Sequence, residues 1–327
     1  MFMIQRSCLW MICFVLFLVS CTTNEKEKKY PAQLEDSTIN KATPDSANGI
    51  TSSTIEKEFR DSINIKPAKD SVLLKFNFQK GKTYNYTMML DAVRKKDDRK
   101  MGTMMKWNYD MQVLDESKGV KTLKTTYKRI DMTMDAGNDQ KMDFSSEKQV
   151  DAMDFMQMPS KMFGIIKGKS FTMQVNQKGE VVSVSGFDKI GEAVITEMNL
   201  PDEMKPMIRQ NFQKQFNDDA VKQMFSQSFN ALPNKYVKVG DSWKANASLT
   251  TLKQDISTVY TVRRIKGSRI LLTGTAKLKS PEGQNTGTQT SKLIIDAKTG
   301  VMLDGVFDQK STDGQMTTAT RIIGKEI

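Results

Sequence analysis

Ser145, Ser146, Glu147 and Lys148 present the S-x-x-K spacing, in which a lysine amine can activate a serine hydroxyl as a nucleophile. No S-D-N companion accompanies it, and a four-residue match in a chain of 327 residues is expected by chance. Residues Asp135 to Gln140 are rich in oxygen donors but lack the alternating ligands and distal glutamate of a calcium loop, so a polar hairpin turn is expected there. The neighbouring carboxylates Asp97-Asp98, Asp115-Glu116 and Asp218-Asp219 fall in turn or cap contexts, where solvated acids are the ordinary outcome. The chain has no histidine, which removes Ser-His-Asp and Cys-His nucleophiles, His-ligated zinc and haem, and HExxH metalloproteases. No glycine-rich phosphate loop precedes a helix. The expectation is a noncatalytic protein with no catalytic residue, no metal site and no cofactor.

One residue does promise chemistry, and it is Cys21. Residues 1–20 carry a single positive charge at Arg6, an apolar run from Leu9 to Val19 and the small Ser20. Eleven apolar residues rise about 17 Å as a helix, short of the roughly 30 Å hydrocarbon core, so the segment reads as a cleaved signal peptide. Leu18-Val19-Ser20-Cys21 resembles the bacterial lipobox, in which the cysteine thiol receives a diacylglycerol and the cysteine becomes the acylated first residue. Several acyl chains anchor stably, at about 0.8 kcal/mol per buried CH₂. Loss of Cys8 and Cys13 with the leader would leave no free thiol and no disulfide. Thr22 stands where an acidic residue would mark inner-membrane retention in the enterobacterial scheme, which favours the outer membrane and leaves periplasmic or surface orientation open. Residues 21–70 then read as an acylated cysteine and a disordered tether: polar, with Pro31, Pro44 and Pro67, and without a sustained apolar period. As a flexible coil it spans roughly 40 Å r.m.s..

From Ser71 onward the period becomes two. Leu74, Phe76 and Phe78 alternate with polar neighbours, as do Tyr84, Tyr86, Met88 and Leu90 beyond a turn at Gly81. Met105, Trp107, Tyr109, Met111 and Val113 share a face opposite Lys106, Asn108, Asp110 and Gln112, the pattern of a half-buried antiparallel strand. The layout recurs later. Gly81-Lys82-Thr83-Tyr84 is echoed by Gly240-Asp241-Ser242-Trp243, Tyr109 with Leu123 by Tyr260 with Leu271, and a hairpin around Gly179 by one around Gly300. Half-repeats are therefore expected at about 71–190 and 232–327, within one β-rich domain over 71–327. Between them, at 187–231, the period is 3.6: Phe187, Ile190, Val194 and Met198, then Met204, Met207, Ile208 and Phe212, then Val221, Met224, Phe225 and Phe229. A further helical stretch, Val150 to Ile166, contains Met153, Met156 and Phe163 and is interrupted by Pro159.

These elements predict a mainly β (α+β) body: a long curved antiparallel sheet or incomplete β-barrel from two repeated halves, with helices packed on its concave side. Gly168-Lys169-Ser170-Phe171-Thr172-Met173 and Val237-Lys238-Val239-Gly240-Asp241-Ser242-Trp243 resemble phrases of an uncharacterised domain-of-unknown-function family of bacterial lipoproteins, over residues 71–327. The layout is also similar to the lipoprotein-carrier (LolA/LolB-like) and LppX-like folds, which hold acyl chains between sheet and helices. That resemblance rests on architecture, and it implies a hydrophobic ligand.

Methionine and charge bear on the ligand. Of 23 methionines, only Met1, Met3 and Met11 fall in the leader, and adaptable apolar surfaces use this flexible, polarisable side chain repeatedly. The hydrophobic-ligand candidates are Met153, Met156, Phe163, Met204, Met207, Phe212, Met224, Phe225, Trp107 and Trp243. The chain is basic, with 49 Lys+Arg against 38 Asp+Glu, and outside the cytoplasm such charge meets anionic envelope surfaces rather than nucleic acid. The expected partners are thus the membrane, through the N-terminal acyl chains, a lipid ligand and an anionic envelope surface. The alternative is a structural or interaction lipoprotein whose core is filled and which docks another envelope component.

Overall fold

The computed structural model describes residues 71–327 except 97–98, 138–139, 152–153, 216, 230 and 250–253. Cys21, the leader and the tether lie outside the described residues. The first half begins with the short β1 (Val72–Leu74) and continues through β2 (Thr83–Lys96), β3 (Arg99–Ser117), β4 (Val120–Asp135) and β5 (Lys141–Ser145) to the hairpin β6 (Ser170–Val175) and β7 (Val181–Ser185). The second half holds β8 (Lys235–Val237), β9 (Ser242–Leu249), β10 (Gln254–Lys266), β11 (Arg269–Lys279), β12 (Asn285–Asp296), β13 (Met302–Ser311) and β14 (Met316–Glu326). β1 pairs only with β8, while the other strands make one antiparallel sheet in the order β7-β6-β4-β3-β2-β14-β13-β12-β11-β10-β9, with β5 added on β4. Each half is a meander, and the halves join where the first long strand meets the last, Tyr84 opposite Glu326. The sheet curves without closing into a barrel.

The repeat extends to individual hydrogen bonds. At the first turn Gly81 N–H donates to Val113 O and Val113 N–H to Lys82 O, both 2.9 Å; at the second, Gly240 N–H donates to Val262 O and Val262 N–H to Asp241 O, both 2.9 Å. Both glycines have positive φ, 82° and 94°, which L side chains rarely adopt. A register shift follows each partner, at Val113/Asp115 and at Val262/Arg264. This geometry moves one expected correspondence by two residues: Met111, opposite Tyr84, is the counterpart of Tyr260, opposite Trp243, and Leu123 corresponds to Leu272.

Helices α1 (Met158–Ile166), α2 (Phe187–Glu197), α3 (Lys205–Gln215) and α4 (Asp218–Phe229) provide the second layer. Pro159 lies in the first turn of α1 instead of breaking a longer helix, and a 3-10 turn at Phe155–Gln157 precedes it. Asn217 caps α4 by accepting Ala220 N–H at 2.7 Å, and Asp218 accepts the first N–H of α2, at Phe187, 3.2 Å away. The α4 helix packs against both β7 and β9, the two terminal strands of the sheet path, so it stands where barrel closure would otherwise occur. Its Lys222 also donates to Val182 O on β7 at 2.9 Å.

Candidate functional site

Packing between the helices and the first half of the sheet is dense. The Phe225 ring meets Tyr109 edge-on at 5.5 Å and Phe171 at 5.7 Å, while Phe187 lies 5.4 Å from Phe171 and 6.3 Å from Phe212. Aromatic pairs at these separations contribute about 0.5–1.5 kcal/mol each beyond the area they bury. Phe163, Phe212 and Phe225 are buried members of this core, engaged with other side chains. Met204 is partly buried against the same core, Met207 is half-buried on α3, and Met156 stands exposed beside α1. Met153 lies outside the described residues, as does the side chain of Met224. Trp243 packs on Tyr260 at 6.1 Å with the Lys235 ammonium 6.0 Å over its ring. Of the candidates with described side chains, those on the helices and Trp243 thus divide among the buried helix core, the surface beside α1 and α3, and the Trp243–Tyr260 pair.

A different surface emerges from the register. Successive inward residues form rows across the sheet. One row runs through Gly305, Ile322, Met88, Trp107 and Ile130. The next runs through Ser291, Phe307, Thr320, Leu90, Met105 and Met132. A third passes Gln289, Gln309, Thr318, Ala92, Thr103 and Met134. The outer members, Ile130, Met132 and Met134, are buried, and so are Ser291 and Gln289 at the other end. The central members Met88, Leu90, Met105, Trp107 and Phe307 are only partly buried, although they point the same way as the fully buried Tyr84, Tyr86 and Tyr109. Helix packing is concentrated on β4 to β7 and on β9, to either side of them. An apolar trough of partly buried side chains thus lies on the concave face of β2, β3, β13 and β14, with amides and hydroxyls in register beside it. Of the sequence candidates, Trp107 is in it. Leu90 and Phe307 were missed because nothing local marks two strands so distant in the chain as near neighbours.

The possible nucleophile has another use. Ser145 Oγ donates to Asp131 at 2.6 Å, Ser146 Oγ accepts Ile130 N–H at 3.0 Å, and Lys148 donates to the Asp143 carbonyl. Lys298-Thr299-Gly300, a K-T-G triplet of the kind that accompanies S-x-x-K in serine acyl-transfer enzymes, forms the turn before β13, with Thr299 Oγ1 donating to Asp296 at 2.8 Å. Asp135 caps its own turn by accepting Gly137 N–H at 2.9 Å, and Asp115 pairs with Lys80 at 2.7 Å, an exposed contact that holds its carboxyl below the usual range. Among the described residues no three Asp, Glu or Cys side chains gather as a metal site would require.

Comparison with known proteins yields a family. No curated protein matches the sequence. Among solved structures, a presumptive exported protein with a YmcC-like fold from Bacteroides fragilis is 9% identical, with 77% of this chain and 99% of that chain covered and a TM-score of 0.25. A DUF1329 family protein from Desulfovibrio piger is 6% identical over 75% of this chain and 84% of its own, at a TM-score of 0.18. A beta-barrel-like protein of domain of unknown function DUF1849 from Brucella abortus is 8% identical over 76% and 99%, at 0.21. Residues 118–302, from the turn before β4 to the start of β13, match the model of a family of unknown function, DUF6263. That span exceeds half of the chain and includes all four helices, and the chain belongs to the DUF6263 family.

Proposed function

We propose that this protein is a lipid-anchored, noncatalytic component of the cell envelope that holds an acyl-bearing or other hydrophobic ligand against the concave face of its sheet. The observation that carries the reading is the incompletely buried inward row Leu90, Met105 and Phe307 with Met88 and Trp107 beside it. Inward Tyr84, Tyr86, Tyr109 and Met111 on the same strands are fully covered, and apolar surface left partly open in a concavity is stabilised by an apolar ligand at about 25 cal/mol per Å² removed from water. The flexible Met88 and Met105 side chains suit a ligand of variable tail. Cys21, with the apolar leader before it, supports the anchor and the envelope location.

Trp107 provides the test. The sequence contains three tryptophans, so Trp10→Phe and Trp243→Phe leave Trp107 as the sole indole, and Cys21→Ala removes the acylation site. Fatty acyl chains brominated along the tail should quench Trp107 fluorescence saturably in this variant, and organic extraction of the purified chain should recover lipid. Absence of quenching by every amphiphile tried, together with a lipid-free extract, would favour the interaction-protein alternative.

A further inference from the structure

The trough is asymmetric in polarity. On the β2–β4 side the second and third rows carry Leu90, Met105, Met132 and Met134 with Ala92 and Thr103, whereas on the β12–β14 side they carry Ser291, Gln289, Gln309, Thr318 and Thr320 around Phe307. Gln309 Nε2 donates to Gln289 Oε1 at 2.7 Å. That bond uses one donor and one acceptor of two amides that together offer four N–H groups and two carbonyl oxygens. Gln289 and Ser291 are 6% and 4% exposed, and the Ser291 Oγ is buried without a hydrogen-bond partner. The Oγ shares the space over Gly274 with the Tyr260 ring, at the polar end of its row; a buried hydroxyl without a partner is destabilising, and a ligand group reaching this end would satisfy it. Within these three rows, among the described residues, no inward side chain from β10 to β5 carries a charge. The nearest formal charge on this face of β2 is Arg94, two residues beyond Ala92 and opposite Met101 and Met316; the Asp313 carboxyl is held down by hydrogen bonds from Ser311 and Gln315, with Arg94 a minor contributor.

Resting on the trough reading, we infer that the ligand is a neutral amphiphile: an acyl chain laid on Met88, Leu90, Met105 and Trp107, with an uncharged hydroxyl, ester or amide head against Ser291, Gln289 and Gln309. A carboxylate or phosphate at this depth would lose its hydration and find no cation, a cost several times that of a hydroxyl, which the two amides and the serine can satisfy in full.

The experiment uses the Trp10→Phe, Cys21→Ala, Trp243→Phe chain and three probes with the same dibrominated stearoyl tail: a monoacylglycerol, the free fatty acid at pH 8, and phosphatidylglycerol. The monoacylglycerol should quench Trp107 with a Kd at least about tenfold below either anion. Ser291→Ala should raise that Kd several-fold, and the double change Gln289→Leu with Gln309→Leu should flatten the preference, near-UV circular dichroism reporting that the fold persists. Should the double variant fail to fold, Gln309→Glu in its place should weaken monoacylglycerol binding without improving the anions. Equal or tighter binding of either anion, or an anion preference that Arg94→Gln abolishes, would overturn the neutral-head inference while leaving the trough intact. Absence of quenching by all three probes would overturn the trough itself.

Discussion

The ring of Phe212 on α3 occupies the space that a side chain at position 191 of α2 would need: an ideal Cβ built on Gly191 stands 2.6 Å from Phe212 Cε1 and 2.7 Å from Cδ1. Phe212 stacks in turn on Phe187 at 6.3 Å, so the ring cannot retreat without disturbing the aromatic core. Gly191→Ala should therefore destabilise the protein by about 1–3 kcal/mol through overpacking, even though alanine favours a helix interior over glycine by about 1 kcal/mol. Urea denaturation of the two chains measures the difference. An unchanged or higher midpoint would mean that α2 and α3 are packed more loosely than this contact requires.

On the convex face, Arg321 of β14 grips Asp304 of β13 with two hydrogen bonds of 3.0 and 2.7 Å, the two side chains being 14% and 6% exposed. Arg321→Ala strands a buried carboxylate and is expected to cost about 3 kcal/mol, whereas replacing both residues by leucine should cost clearly less. Comparing the single and double variants by chemical denaturation separates the worth of the pair from the penalty of orphaning one charge. A double variant as unstable as the single one would contradict this account.

Alkali should unfold the domain in step with tyrosine ionisation. Burial pushes the Tyr86, Tyr109 and Tyr127 hydroxyls well above the ordinary value of 10.0, and that of Tyr260 up to about 12. In the unfolded chain these groups ionise near 10, so above that pH the folded state holds more protons and stability falls as pH rises. Stability from this source is complete below pH 10 and is lost between there and the folded values. The tyrosinate absorbance of the buried set should appear together with loss of near-UV circular dichroism. Full tyrosinate absorbance from a chain with an intact near-UV spectrum would contradict it.

Cys21→Ala should release the protein from membranes. Among the described residues no helix is long and apolar enough to cross a bilayer, and the leader's apolar run is too short to do so. Fractionation of cells expressing the variant, with high-salt washing, is the check. Retention in the membrane fraction after the wash would show that another part of the chain anchors it.

How far the chain could be read without coordinates follows from the range of the forces involved. Alternation of Met105, Trp107, Tyr109 and Met111 with polar neighbours is enough to define β3 and its inward face, because side-chain direction in a strand depends only on parity. The stripes through Phe187 and Val194 and through Val221 and Phe225 likewise mark helices that lie at Phe187–Glu197 and Asp218–Phe229, since 3.6-residue periodicity is a local property. Glycines 81 and 240 announce equivalent turns because only positive φ satisfies both. Tertiary structure decided what these faces meet. Parity places Leu90 inward but cannot say that its neighbours are Thr320 and, one strand further, Phe307, because the pairing of β2 with β14 joins the two ends of the folded body. Nor could composition tell that Phe163, Phe212 and Phe225 would be fully buried in the core while Met88, Met105 and Trp107 stayed only partly covered. Whether an apolar side chain is buried depends on which distant element arrives over it. Here the helices settle toward β4 to β7 and the open edge at β9, and the middle of the sheet is left to face the cleft.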